Sequence, residues 1–251
     1  MNEQEYAHMY SEEEKHWWYA GMRSIVLSLL PPAAVSEQSR VLDAGCGTGY
    51  NLRWLRESYH ARTTGLDLYS PALAFSRTRG EQQLARGDAS TLPFRSERFD
   101  LVTAFDVLSH IDGKEARLQA LRELHRVLRP GGRVLIRVAA FEWLRSSHDE
   151  EVRTYHRYSR GELRATLVIA GFDLVRMTFV NCLLFPAAVA WRFLKKASMA
   201  PAGSDVRRGI RGTRWMNSFF RSLLQLEASI LRKPEASFPV GLSLMALARK
   251  P

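Results

Sequence analysis

Three histidines and three aspartates stand at positions where side chains can handle protons and hydroxyl groups. Asp43 closes an apolar run and is followed by Gly45, Gly47 and Gly49, with Cys46 between the first two. Glycine permits positive φ and a close approach by a ligand, and the helix that follows opens its first N–H groups toward that ligand. The spacing is Gly-x-Gly-x-Gly after an acid, not the Gly-x-Gly-x-x-Gly of a dinucleotide site, and this argues against NAD. Asp67 ends the next apolar run 18 residues after Gly49, where an acid can accept hydrogen bonds from ribose hydroxyls. Asp88 follows Gly87 at a third such end. His110, His148 and His156 come later, and a near-neutral histidine is the usual base for a hydroxyl nucleophile. His110 also reads as a helix-start residue bonded to a backbone carbonyl. His148 adjoins Asp149 and Glu150, but one histidine beside adjacent acids is poor spacing for a closed metal site, and no metal is expected. His156, with Arg157 and Tyr158, reads either as a rim for an anionic group or as a solvated lead-in to a helix.

The elements that must position these groups follow from hydrophobic periodicity. Strands are expected over 40–44, 63–67, 84–89, 99–106, 133–139, 172–180 and 242–248, with helices at 50–58, from about 71, and over 114–128. Strands alternating with helices imply right-handed βαβ units and an open parallel sheet that binds ligands at its C-terminal rim. Ser159 and Glu162 form a capping box for a helix closing at Gly171. Residues 3–30 read as one helix stopped by Pro31-Pro32. Within it Trp17 is expected to anchor on the sheet edge. Trp18, Tyr19 and Arg23 read as a cap on a ligand pocket or as packing. Ser70 is expected to cap the helix at Pro71, which leaves Asp67 for a ligand.

Composition bounds the rest. The 251 residues are 46% hydrophobic and 25% charged, which suits one domain spanning 1–251. Only Cys46 and Cys182 are present, so no disulfide framework is implied and a reducing, cytoplasmic compartment is expected. The acidic start, Met1 to Glu14, has no secretory pattern, and the longest apolar stretch, Cys182 to Trp191, is too short to span a bilayer.

At this point the pattern resembles the class I S-adenosylmethionine-dependent methyltransferases, in particular the small-molecule group that includes ubiquinone-biosynthesis O-methyltransferases. The resemblance rests on Leu42-Asp43-Ala44-Gly45-Cys46-Gly47-Thr48-Gly49, Gly65-Leu66-Asp67, Gly87-Asp88-Ala89 with Leu92-Pro93-Phe94, and Leu128-Arg129-Pro130-Gly131-Gly132. It implies a Rossmann-like α/β fold with helices on both faces of a seven-stranded sheet, order 3-2-1-4-5-7-6, the last strand antiparallel. It implies S-adenosyl-L-methionine as cofactor, with Gly45, Cys46, Gly47 and Gly49 along its methionine part. By the same pattern Asp43 reaches the amino group or an ordered water, Asp67 the ribose, and Leu68 the adenine face. Asp88 and Ala89 meet the adenine edge, and Phe105 faces the sulfonium. Trp18 and Arg23 are placed at the same pocket. Many relatives have Glu-His where this chain has Ser109-His110.

The irregular feature is a helical insertion, 182–235, between the last two strands, alongside an N-terminal helical cap, 1–32. Residues 180–234 hold ten Lys/Arg against two Asp/Glu, a surplus of eight within a net charge of +10. Residues 197–213 have the composition of a disordered stretch. Apolar stripes beside basic clusters read as a lid over the acceptor pocket, or as a lid that also touches an anionic membrane. Nucleic acid is not favoured, because no basic-aromatic strand platform appears and Phe105-Asp106-Val107-Leu108 stands where many base-modifying relatives carry a Pro-Pro signature. The expected function is methyl transfer to a small-molecule or lipid-like acceptor, at oxygen. The alternatives are an RNA methyltransferase and a non-catalytic, cofactor-binding partner protein.

Overall fold

The computed structural model describes residues 3–31, 35–197 and 214–251, and the side chains of His148, 193–197 and Arg214 lie outside that description. The stretch 198–213, expected from sequence to lack order, lies outside it too. Seven strands form one sheet: β1 (Arg40–Ala44), β2 (Arg62–Asp67), β3 (Leu84–Arg86), β4 (Phe99–Phe105), β5 (Leu128–Ala139), β6 (Asp173–Val180) and β7 (Ser243–Arg249). Their order is 3-2-1-4-5-7-6. Strands β1 to β5 pair in parallel, and β7 runs antiparallel to both β5 and β6. Val102, Ala104, Leu135, Ile136 and Ala246 are fully buried, as the central strands of a sheet covered on both faces require.

The helices are α1 (Glu3–Glu12), α2 (Trp17–Leu29), α3 (Tyr50–Tyr59), α4 (Ser70–Thr78), α5 (Lys114–Val127), α6 (Ser147–Glu151), α7 (Arg160–Ile169), α8 (Phe185–Ala197) and α9 (Arg214–Leu231). Short 3-10 turns follow β4 (Val107–His110) and β5 (Glu142–Leu144). Ser159 caps α7 by accepting from Glu162 N, as the sequence implied.

Three local expectations change. The N-terminal segment is two helices, because Glu13 turns inward to Thr48 and Arg79 and His16 then caps α2 by accepting from Trp18 N at 3.2 Å. Strand β5 starts at Leu128 rather than Arg133. The Pro-Gly-Gly turn stays in the ladder because Lys250 bonds both glycines, accepting from Gly131 N and donating to Gly132 O. Trp17 packs on Phe220 of α9, ring centroids 5.0 Å apart, and not on the sheet edge.

That last contact belongs to a tight helix pair. Gly21 of α2 lies against Leu224 of α9 so closely that a Cβ at 21 would sit 2.3 Å from Leu224 Cδ1. Leu224, Ala228 and Leu231 share an apolar cluster with Ile25, Val26 and Leu29. Glu227, fully buried, accepts from the N–H groups of Asn181 (2.6 Å) and Cys182 (2.8 Å), tying α9 to the exit of β6. Burial pushes the Glu227 carboxyl pKa up, against these bonds. The inner face of α9 is therefore core.

Candidate active site

The glycine turn sits between β1 and α3 at the C-terminal rim of the sheet. Gly45, Gly47 and Gly49 have φ of +78°, +55° and +82°. At Gly45 a Cβ would also meet Val107 Cγ2 at 2.3 Å, so no other residue fits there. The N–H groups of Gly45 and Cys46 both donate to Leu66 O, at 2.7 and 2.9 Å. Ser76 Oγ donates to Gly47 O at 2.8 Å. Asp67 accepts from Gly47 N at 2.9 Å through one oxygen and from Tyr69 N at 3.0 Å through the other. Ser70 does not cap α4: the cap position is Tyr69, without a side-chain bond. Asp67 thus braces the glycine turn and the lead-in to α4 at once.

Asp43 is buried on β1. Thr103 Oγ1 donates to its Oδ1 at 2.7 Å, while Oδ2 has no partner among the described residues. Desolvation raises its pKa to about 7, against the lowering effect of Thr103. Leu68 is 46% exposed, Asp88 is exposed and holds Ser90 N at 2.7 Å, and Ala89 is buried beside it. Cys46 is buried, and burial raises its thiol pKa well above the usual value.

Helix α1 lies over this turn. A Cβ at Gly47 would meet only Met9 Cε, at 3.0 Å, and the Tyr6 ring lies 6.2 Å from that of Tyr69. Glu13 accepts from Thr48 Oγ1, and Arg79 bridges Glu13 (3.2 Å) and Glu14 (2.9 Å) while stacking on the rings of Tyr10 and Tyr50. Arg23 donates to Glu13 O at 3.1 Å and stacks 4.4 Å from the Tyr50 ring centroid. Sequence reading missed this latch, because nothing in the run Glu12-Glu13-Glu14 marks the middle acid as the buried one.

A second polar group stands at the ends of β4 and β5. Arg137 is 7% exposed and makes a forked pair with Asp106: Nε lies 3.0 Å and Nη2 2.5 Å from Oδ2. Its guanidinium is 4.9 Å from the Trp18 ring centroid and 5.3 Å from that of Phe105. Asp106 has φ +64°, uncommon outside glycine, and its N–H donates to Arg137 O at 2.7 Å. Trp18 also meets Tyr19 edge-on at 5.0 Å. The signal for this pair was available as an arginine inside the apolar run of β5.

His110 ends the turn after β4, half-buried, with Nδ1 2.9 Å from Arg153 O. A carbonyl only accepts, so Nδ1 carries the hydrogen and Nε2 keeps the lone pair. The carbonyl of Ser109 accepts from the N–H groups of Tyr155 and His156, which brings His110 and His156 onto one rim. His156 Nε2 lies 2.7 Å from Glu162 Oε1. The His148 side chain falls outside the described residues, but its neighbour Asp149 is engaged. Asp149 and Arg157 form a buried pair at 2.7 Å, and that charge holds the Asp149 carboxyl pKa below the usual carboxylate range despite burial.

Comparison with known proteins agrees with this geometry. A family described as methyltransferase domain matches residues 42–136. The Mus musculus protein called probable tRNA methyltransferase 9B is 38% identical over 104 residues, 41% of this chain and 22% of that one. The ubiquinone/menaquinone biosynthesis C-methyltransferase UbiE of Ruegeria sp. (strain TM1040) is 34% identical over 128 residues, 48% of each chain. This chain thus spans half or less of the length of these curated relatives. A chain of the complex between the Haloferax volcanii Trm112 methyltransferase activator and a methyltransferase superposes with TM-score 0.64 and 22% identity, covering 99% of this chain and 95% of that one. The family's cofactor is S-adenosyl-L-methionine. The residues suit it: Asp43 Oδ2 is a buried acceptor with no partner among the described residues, beside a turn whose three glycines all take positive φ. Sheet order, glycine turn and matched segment together are those of the class I S-adenosylmethionine-dependent methyltransferases, which this chain resembles over residues 42–136.

Proposed function

We propose that the protein methylates an oxygen of a small, lipid-like acceptor. The observation that carries this reading is the Arg137–Asp106 pair walled by Trp18 and Phe105: a polar handle inside an aromatic setting, beside the glycine turn. Such a setting suits an amphipathic molecule with one polar group on an apolar body. Asp43, Gly45, Cys46, Gly47 and Gly49 would hold the methionine part of the cofactor, Asp67 and Leu68 the ribose and adenine face, and Asp88 with Ala89 the adenine edge. Trp18, Arg23 and Phe105 would close the pocket. Once bound, the cofactor supplies a methyl group on a sulfonium that is already activated, so alignment in a dry site does most of the work. His110 takes the hydroxyl proton on Nε2, and His156 braces the same rim through Glu162. The setting is cytoplasmic, and the basic insertion brings the chain to an anionic membrane surface.

RNA is a second reading, favoured by the similarity to tRNA methyltransferase 9B and by the net charge of +10. Purified protein with radiolabelled cofactor, offered total lipid and total RNA from the same cells, separates the two. Label in the lipid fraction is expected. Label in RNA alone would replace the acceptor, and no transfer to either together with no cofactor binding would remove the reading.

The Asp43 carboxyl makes a pH prediction. Only its ionised form offers a charge to the cofactor's ammonium, and its pKa is raised to about 7. Affinity should therefore rise with pH, by about tenfold between about pH 6 and about pH 8. Asp43→Asn should flatten that dependence in calorimetry. An equal slope in the two proteins would take Asp43 away from the ammonium.

A further inference from the structure

Helix α9 is apolar on two sides, and among the described residues only one of them is covered. Phe220, Leu224, Ala228 and Leu231 face α2 and the core. Trp215, Phe219, Leu226 and Ile230 are 67%, 53%, 53% and 39% exposed, and Leu223 between them is half-buried. The spacing 215, 219, 223, 226, 230 is the i, i+4, i+8, i+11, i+15 pattern of a single helical stripe. At 1.5 Å per residue it runs about 22 Å along the surface. A monomer rarely leaves so long an apolar stripe to water without a use for it.

We propose that this outer stripe of α9 is the surface by which the protein lies on an anionic lipid bilayer. The proposal rests on the reading of a lipid-like acceptor and gives that acceptor a place to come from. Charge selects the partner. The one acid of α9, Glu227, is buried and spent on the backbone at 181–183, so the exposed charge on α9 is Arg221, and at its exit Arg232 and Lys233 outnumber Glu235. Four further arginines precede the outer stripe in sequence (207, 208, 211, 214). A stripe of Trp, Phe, Leu and Ile beside cations is the pattern of a helix lying in the plane of a negatively charged interface. A second copy of this chain would bring the same positive charge against itself. RNA would leave the aliphatic middle of the stripe, Leu226 and Ile230, without a stacking partner. The insertion adds a further exposed tryptophan, Trp191 of α8, at 61% exposure. No helix of the described residues is long and apolar enough to cross the membrane, so the contact is peripheral. Because the inner face of α9 is fixed to α2, the outer stripe is already formed and docking needs no refolding.

The test is sedimentation of the intact chain with vesicles, without acceptor or cofactor, so that it stands apart from methyl transfer. The protein should pellet with vesicles containing about one-third phosphatidylglycerol, not with pure phosphatidylcholine, and about 0.5 M salt should release most of it. Phe219→Ser with Leu226→Ser should lower partitioning by about tenfold or more, with an unchanged melting temperature because both side chains face solvent. Equal binding by the double variant would overturn the proposal, as would a parent protein that binds neither vesicle. A parent that is dimeric by light scattering, and monomeric in the double variant, would assign the stripe to self-association instead.

Discussion

His110→Ala is expected to lower methyl transfer by about 10²–10⁴-fold while leaving cofactor affinity unchanged. The argument is geometric. Nδ1 is committed to Arg153 O, and that bond both turns the ring and fixes the tautomer in which Nε2 can accept a proton. The residue sits five positions beyond Phe105, where β4 ends, and four beyond Asp106, so it shares the rim with the polar handle of the pocket. The rival His156 has its Nε2 facing Glu162 and its ring packed edge-on against Tyr158 at 4.6 Å. His156 ties the rim to α7 through Glu162, whereas His110 stands on the turn that directly follows Phe105 and Asp106. His156→Ala should therefore cost turnover less than His110→Ala does. A pH–rate profile distinguishes a base from a brace, since losing the base should abolish the acidic limb of the profile while losing a brace only scales it. Near-full turnover in the His110 variant would leave catalysis to alignment alone.

The strands and the glycine turn were legible in the sequence because their signals are local. Apolar runs closed by Asp43 and Asp67, and a turn with alternating glycines, need no tertiary information to read. Groups whose roles are set by distant partners were not legible. Asp67 looked free once Ser70 was assigned as a cap, yet its carboxylate is taken by two N–H groups, one of them 20 residues away at Gly47. Glu13 lies in a run of three acids and only the fold buries it. Arg137 stood out as a charge within an apolar strand, but its partner, Asp106, lies 31 residues away and becomes one only when β4 and β5 align. The apolar residues of α9 looked like one broad face. The division into a core stripe and a solvent stripe comes from where α2 lies, which no helical periodicity in α9 alone could give.

Asp67→Ala is expected to weaken cofactor binding by about 10²-fold or more. Hydrogen bonds to a charged group are worth roughly 1.5–3 kcal/mol each, and two such bonds to ribose hydroxyls would be lost, partly offset by water. A second loss adds to the first. The same carboxylate now accepts from Gly47 N and Tyr69 N, so its removal frees the glycine turn as well as the ribose contact. The two effects separate with Asp67→Asn. The amide oxygen can still accept from Gly47 N, but the NH2 cannot accept from Tyr69 N, so the turn should stay braced while the lead-in to α4 loses one bond, and the melting temperature should fall less than in the alanine variant. The amide carries no charge and only one acceptor oxygen, so affinity should fall to an intermediate value. Burial already pushes the Asp67 carboxyl pKa up, against the bonds from Tyr69 and Gly47. Binding through the ionised form should therefore weaken as the pH falls toward the carboxyl's raised pKa, in the parent but not in the amide variant. Calorimetry that finds parent-like affinity in both variants would take Asp67 out of the cofactor site and leave it as the brace between the glycine turn and α4.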